Sequence, residues 1–83
     1  LKDPKTCRTL EVFTTEPGVQ LYTDNFGSGF KGSHGATFPR RSAICLECQH
    51  FPDTPNHTYF PSVVLEPGEQ YKQKTIYKFG ITE

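Results

Sequence analysis

Apolar and polar side chains alternate with a period of two along much of this chain, and no segment repeats apolar residues at helical spacing. In the first alternating run, Thr9 to Thr15, Leu10, Val12 and Thr14 share one face. A second run, Val19 to Thr23, follows a Pro-Gly pair. Such a pair suits a type II turn, because proline presets φ at the first central position and glycine accepts a positive φ at the second. The pattern predicts an all-β chain.

The middle of the chain contains one strongly apolar strand between two loops. Asn25 to Gly35 is rich in glycine, which indicates an exposed loop, and no helix follows to make it a phosphate-binding turn. Ala43 to Gln49 is the most apolar predicted strand. Phe51 to Pro61 contains three prolines, so it can form neither a helix nor a central strand. Its aromatic side chains predict an ordered, irregular loop.

The last segment predicts a hairpin. Ser62 to Leu65 and Lys74 to Ile81 flank a second Pro-Gly turn at Pro67-Gly68, and alternate residues from Thr75 to Ile81 share one face. About five antiparallel strands without a helix are typical of a sandwich or barrel. The outer strands would have unpaired edges unless something covers them, so we expect only one portion of such a fold.

Composition excludes several classes of protein. The 83 residues amount to one small domain or a piece of a larger one. Nine basic residues balance nine acidic ones without a basic stripe, which argues against nucleic acid as a partner. The longest apolar run, Ala43 to Leu46, is far shorter than the roughly 20 residues of a membrane span. Three cysteines are too few for a disulfide scaffold and favour a reducing compartment, by default the cytoplasm.

Glu47 is the acidic residue whose position needs an explanation. On its strand, Ile44, Leu46 and Cys48 share one face, and Glu47 and Gln49 share the other. A carboxylate in the middle of an apolar strand is costly to desolvate, so it should be paired or should face a polar cleft. A solvent-facing glutamate on a one-sided sheet is the equally compatible alternative.

Two stretches of the chain resemble motifs of the aldose 1-epimerases. Leu10 to Thr23 reads LEVFTTEPGVQLYT and is similar to the family's LEV(Y/F)TTxPGVQ(F/L)YT; Cys45 to Asp53 reads CLECQHFPD and is similar to CLETQxFPD. Further matches follow in family order: Pro55-Asn56, Phe60-Pro61-Ser62, Pro67-Gly68-Glu69-x-Tyr71 and Thr75-x-Tyr77-x-Phe79. The resemblance implies that residues 1–83 are the C-terminal segment of a mutarotase-type β-sandwich within a longer chain.

The resemblance also implies a reaction, the interconversion of α and β anomers of free hexoses such as galactose and glucose. Glu47 matches the family's base, which takes the proton from the C1 hydroxyl while a histidine protonates the ring oxygen. Gln20 matches a position that contacts the sugar, and an amide can both donate to and accept from hydroxyls. Gln49, on the same face as Glu47, is expected to orient it or to bind the sugar. No cofactor and no metal are required.

The family's acid histidine belongs to sequence upstream of the matched stretch. His34, His50 and His57 do not correspond to it, so we expect this chain to be inactive alone and to work with the rest of the family domain. Two further departures flank the base, because Cys48 stands where threonine or alanine is common and Ala43 where glycine is common. The competing hypothesis is a non-catalytic carbohydrate-binding β-sandwich.

Three other signals are set aside. Cys45 and Cys48 point to opposite faces of a strand, which argues against a redox pair or half a zinc site. The glycosylation sequence beginning at Asn56 is expected to be unused without a secretory signal. His50 is expected to brace the proline-rich loop near Asp53.

Overall fold

The structure, a computed structural model, describes all residues from 1 to 83 and consists of six short β-strands. The strands are β1 (Arg8–Thr14), β2 (Gly18–Tyr22), β3 (Phe30–Lys31), β4 (Thr37–Phe38), β5 (Cys45–Gln49) and β6 (Thr75–Ile81). The helical content is two 3₁₀ turns of three residues each, Ser33–Gly35 and Thr54–Asn56. The predicted all-β fold class is confirmed. Neither turn is long or apolar enough to cross a membrane.

The strands pair as three antiparallel ribbons: β1 with β6, β2 with β5, and β3 with β4. The β1–β6 ribbon joins the two ends of the chain. Its inner face follows the predicted alternation, with Leu10 opposite Phe79 and Val12 opposite Tyr77. On its outer face Glu11 lies opposite Lys78, and their charged groups are 3.7 Å apart.

Apolar side chains of two ribbons meet across a shallow groove of about 250 Å³. The residues that line it are Leu10, Ile44, Leu46, Tyr77 and Phe79. The groove marks where a sandwich core would begin, because β1–β6 and β5 both turn apolar residues toward it. No apolar side chain is fully buried, however, and Thr54, at 4% exposure, is the one buried residue.

The chain is open rather than compact. Its accessible surface is 7062 Å², whereas a compact monomer of 9.4 kDa exposes about 5,000 Å². Its radius of gyration is 17.1 Å, against about 12 Å for a compact domain of this length. Apolar residues that a core would normally cover, such as Leu21, Val64 and Phe79, are more than half exposed.

The predicted C-terminal hairpin is wrong. Residues 62–65 form no strand, and the partner of β6 is β1, which lies more than 60 residues away along the chain. The turn itself is present, since Glu69 N–H donates to the carbonyl of Glu66 at 3.0 Å and Gly68 has a φ of +88°. These values fit a type II turn, with Pro67 and Gly68 in its central positions.

The type II turn predicted at Pro17-Gly18 is also wrong. Gly18 is absent from the residues with positive φ and is the first residue of β2. The chain does not turn back here, because β1 and β2 belong to different ribbons. Glycine suits this position for another reason: a Cβ at Gly18 would lie 2.7 Å from Cε1 of Phe51, so a larger residue would displace the ring.

The proline-rich segment is ordered and irregular, as predicted. The Phe51 and Phe60 rings lie 5.1 Å apart, and His57 and Tyr59 both pack on Phe60, at 4.7 and 4.8 Å between ring centroids. The glycine-rich segment is exposed for most of its length, as expected. It also contains β3, which pairs with β4, and the rings of Phe30 and Phe38 contact each other across this pair.

Candidate functional site

The β2–β5 ribbon has one polar and one apolar face. Its register places Gln20 opposite Glu47 and Gly18 opposite Gln49. Directly opposed residues of an antiparallel pair project to the same side, and so do residues two apart on one strand. Gln20, Glu47 and Gln49 therefore share a face, while Leu21 and Leu46 lie on the other.

Glu47 is exposed and makes no hydrogen bond or ion pair within the chain, so the expected pairing of this carboxylate is not found within these 83 residues. Glu47 is absent from the lining of five grooves on the surface of the chain. Its neighbours Gln20 and Gln49 do line a small groove of about 90 Å³ at the end of the ribbon. Glu47 thus presents an unoccupied acceptor beside two amides, one exposed and one half-buried.

A second polar cluster, which the sequence pattern does not predict, lies just beyond the end of this ribbon. Oε2 of Glu16 is 3.2 Å from Nδ1 of His50, and Oε1 of Glu16 accepts the Tyr71 hydroxyl at 2.5 Å. The Glu16 side chain is 5% exposed and that of His50 is 30% exposed. The hydrogen bond to Glu16, with smaller effects of desolvation and of the carboxylate charge, raises the pKa of Tyr71.

His50 connects this cluster to the end of the ribbon that carries Gln20 and Gln49. It lines the small groove with Gln20 and Gln49, and it also lines a larger groove of about 450 Å³ beside Glu16 and Tyr71. Sequence offered one weak signal for the cluster: Glu16 and His50 occupy the positions that the two family motifs leave open. Their proximity depends on strand pairing, which no local pattern reveals.

The expected partnership of His50 with Asp53 is wrong. Asp53 Oδ2 instead lies 3.0 Å from Nε2 of His57, and Nδ1 of His57 lies 3.2 Å from the Tyr59 hydroxyl. The Asn56 amide also donates to Asp53. His57 therefore braces the proline-rich loop from within, whereas His50 contacts Glu16 at the end of the β2–β5 ribbon.

The three cysteines are free. Cys45 lies opposite Tyr22 and Cys48 opposite Val19, so the two thiols are on different faces of the ribbon. No group of three or more histidine, cysteine or acidic side chains is arranged to hold a metal ion.

These features describe an antiparallel β protein with a polar ribbon face that carries one free carboxylate between two amides. A profile of the aldose 1-epimerase family matches residues 1–78. Human galactose mutarotase is 52% identical over 75 residues and the mouse protein 51%, each covering 89% of this chain. The aldose 1-epimerase of Escherichia coli is 36% identical over 72 residues, or 84% of this chain.

The chain belongs to the aldose 1-epimerase family. It spans about a fifth of the length of these relatives, 22% of the mammalian proteins and 21% of the bacterial one.

Proposed function

We propose that this chain carries the catalytic base and part of the sugar site of an aldose 1-epimerase that interconverts the α and β anomers of free hexoses such as galactose and glucose. The observation that carries the proposal is the register of β2 and β5, which pairs Gln20 directly with Glu47. Family membership supports it, because the relatives are a galactose mutarotase and an aldose 1-epimerase.

Glu47 suits the role of base because its carboxylate has no partner in the chain to compete with a sugar hydroxyl. It would accept the proton of the C1 hydroxyl as the ring C–O bond breaks, and return a proton when the aldehyde closes from its other face. Gln20 would bind a sugar hydroxyl through its amide. Gln49, next along the same face, would bind the sugar or orient Glu47.

The proton for the ring oxygen would come from a histidine outside this chain. His50 contacts Glu16, and His57 contacts Asp53 and Tyr59, so both imidazoles already have partners within the chain. We therefore expect the isolated chain to be inactive.

The rest of the family domain is the proposed partner that encloses Glu47. The chain exposes about 2,000 Å² more than a compact monomer of its mass, an area within the range of obligate interfaces. We infer that residues 1–83 form the C-terminal segment of the sandwich and that the missing layers cover its apolar faces. Three free cysteines fit a reducing compartment, and the cytoplasm is the proposed location.

Polarimetry of freshly dissolved α-galactose and α-glucose tests the proposal in the intact protein that contains this chain. Glu47→Gln keeps the shape of the side chain but removes the base, so kcat should fall by roughly 10²-fold or more. Glu11→Gln is the matched control, because Glu11 is also an exposed glutamate in the middle of a strand. Equal rates for Glu47→Gln and wild type would exclude Glu47 as the base.

The same assay distinguishes the alternative, a non-catalytic carbohydrate-binding sandwich. An intact protein that binds galactose in calorimetry but does not accelerate mutarotation would support the binder. In that case Glu47→Gln would change the affinity for the sugar and no rate.

A further inference from the structure

The cluster of Glu16, His50 and Tyr71 closes the end of the β2–β5 ribbon. The last paired residues of the ribbon are Gly18 and Gln49. Glu16 is two residues before Gly18, and His50 directly follows Gln49. The contact between the Glu16 carboxylate and the His50 imidazole, 3.2 Å apart, therefore joins the two strands just beyond their final backbone pair.

Glu16 is also fixed from two other directions. Its backbone N–H donates to the Thr14 hydroxyl at 3.1 Å, and that hydroxyl lies 3.1 Å from the hydroxyl of Thr75 on β6. Tyr71 donates to the other carboxylate oxygen. A carboxylate this deeply buried is stable only when its oxygens are satisfied, so Glu16 has little freedom to move away from His50.

A contact at the end of the ribbon can set the register of the two strands, because the alternation of polar and apolar residues does not define that register by itself. A slip of one residue would turn every side chain to the wrong face, but a slip of two preserves the polar and apolar faces. After a slip of two, Gln20 would lie opposite Cys45 or Gln49 and no longer opposite Glu47. The Glu16–His50 contact would be lost in either slipped state.

We propose that Glu16 and His50 are positioning residues that set the register of β2 against β5 and so hold Gln20 opposite Glu47. Tyr71 keeps the Glu16 carboxylate in place. The catalytic consequence of this inference rests on the proposed function, whereas the structural part concerns the strands alone.

Cross-strand disulfides can report the register in the intact protein, with Cys7 and Cys45 replaced by serine. Cys48 lies opposite Val19, so Val19→Cys should oxidise readily with it, because opposed Cα atoms fall within disulfide range. Leu21→Cys would face Cys48 only after a slip of two. We expect Glu16→Ala or His50→Ala to slow the first disulfide and speed the second by about tenfold, which corresponds to 1.4 kcal/mol.

Kinetics give the second measurement. Slipped molecules would lack the Gln20–Glu47 pair, so kcat should fall by about tenfold, in proportion to the loss of correctly paired molecules, while KM, set by those molecules, stays unchanged. Oxidising the Val19→Cys disulfide in the Glu16→Ala protein should restore kcat, and reducing it should remove the gain. His50→Gln, which can still donate to Glu16, should retain most of the rate.

Glu11→Ala is the control, since it breaks an ion pair with Lys78 on the other ribbon and should change neither measurement. If Glu16→Ala does not fold, His50→Ala, which leaves the Tyr71–Glu16 bond in place, serves the same test. Unchanged disulfide rates in both variants would overturn the inference. A wild-type protein without epimerase activity would instead refute the proposed function and leave the disulfide result standing.

Discussion

Replacing Gly18 by alanine tests how the end of the β2–β5 ribbon is packed. Gly18 has no positive φ, so alanine would not strain the backbone. Its Cβ, however, would lie 2.7 Å from Cε1 and 2.9 Å from Cδ1 of Phe51. Carbon atoms in good contact are about 3.5–4.0 Å apart, so the ring would have to retreat by about 1 Å.

The cost of that movement follows from what holds the ring. Phe51 is 37% exposed and packs on Phe60 at 5.1 Å between centroids, so it can yield only by disturbing this contact. Overpacking of this kind costs about 1–3 kcal/mol. Alanine also lowers the entropy of the unfolded chain, which offsets about 0.4–1 kcal/mol. We expect a net loss of about 1–2 kcal/mol in the free energy of unfolding.

Urea unfolding of the intact protein in a double-mutant cycle measures this cost. In a Phe51→Ala background the clash is absent, so Gly18→Ala should become neutral or slightly stabilising. The cycle should give an interaction energy of about 1–3 kcal/mol. Gly80→Ala is the control, because its Cβ would meet only the Thr9 hydroxyl, at 3.1 Å. If Gly18→Ala had the same effect with and without the Phe51 ring, the packing argument would be refuted.

Two further predictions concern Tyr71 and Gly68. The bond from Tyr71 to Glu16 raises the tyrosine pKa from 10.0, so its stabilisation should be complete below pH 10 and be lost as pH rises through the folded-state pKa. In an ultraviolet pH titration, the tyrosine signal that Tyr71→Phe removes should ionise above 10.0; a lost signal centred at or below 10.0 would contradict the assignment. Gly68→Ala should lower the free energy of unfolding, measured with urea, by about 1–2 kcal/mol, because φ at this position is +88°. A Cβ there would meet no other atom within 4 Å, so the strain comes from the backbone alone. Asn should cost less, and an equal cost for both substitutions would argue against that cause.

Local pattern was sufficient for four of the strands, β1, β2, β5 and β6, and for the face each of their residues occupies, but it predicted a strand at residues 62–65 that does not form and missed β3 and β4. Alternation from Leu10 to Thr14 and from Thr75 to Ile81 was confirmed, as was the placement of Glu47 and Gln49 on one face. This information is local because a strand exposes alternate residues regardless of its partner. The two family motifs likewise identified the family before any contact was known.

Which strands pair with each other is specified only by the tertiary structure. Neighbouring segments were expected to form the C-terminal hairpin, yet β6 pairs with β1 and β2 pairs with β5. The position of Gln20 across from Glu47, and the choice of Glu16 as the partner of His50, follow from that long-range pairing. Side-chain periodicity specifies which way a residue faces, whereas only contacts between distant segments specify what it faces.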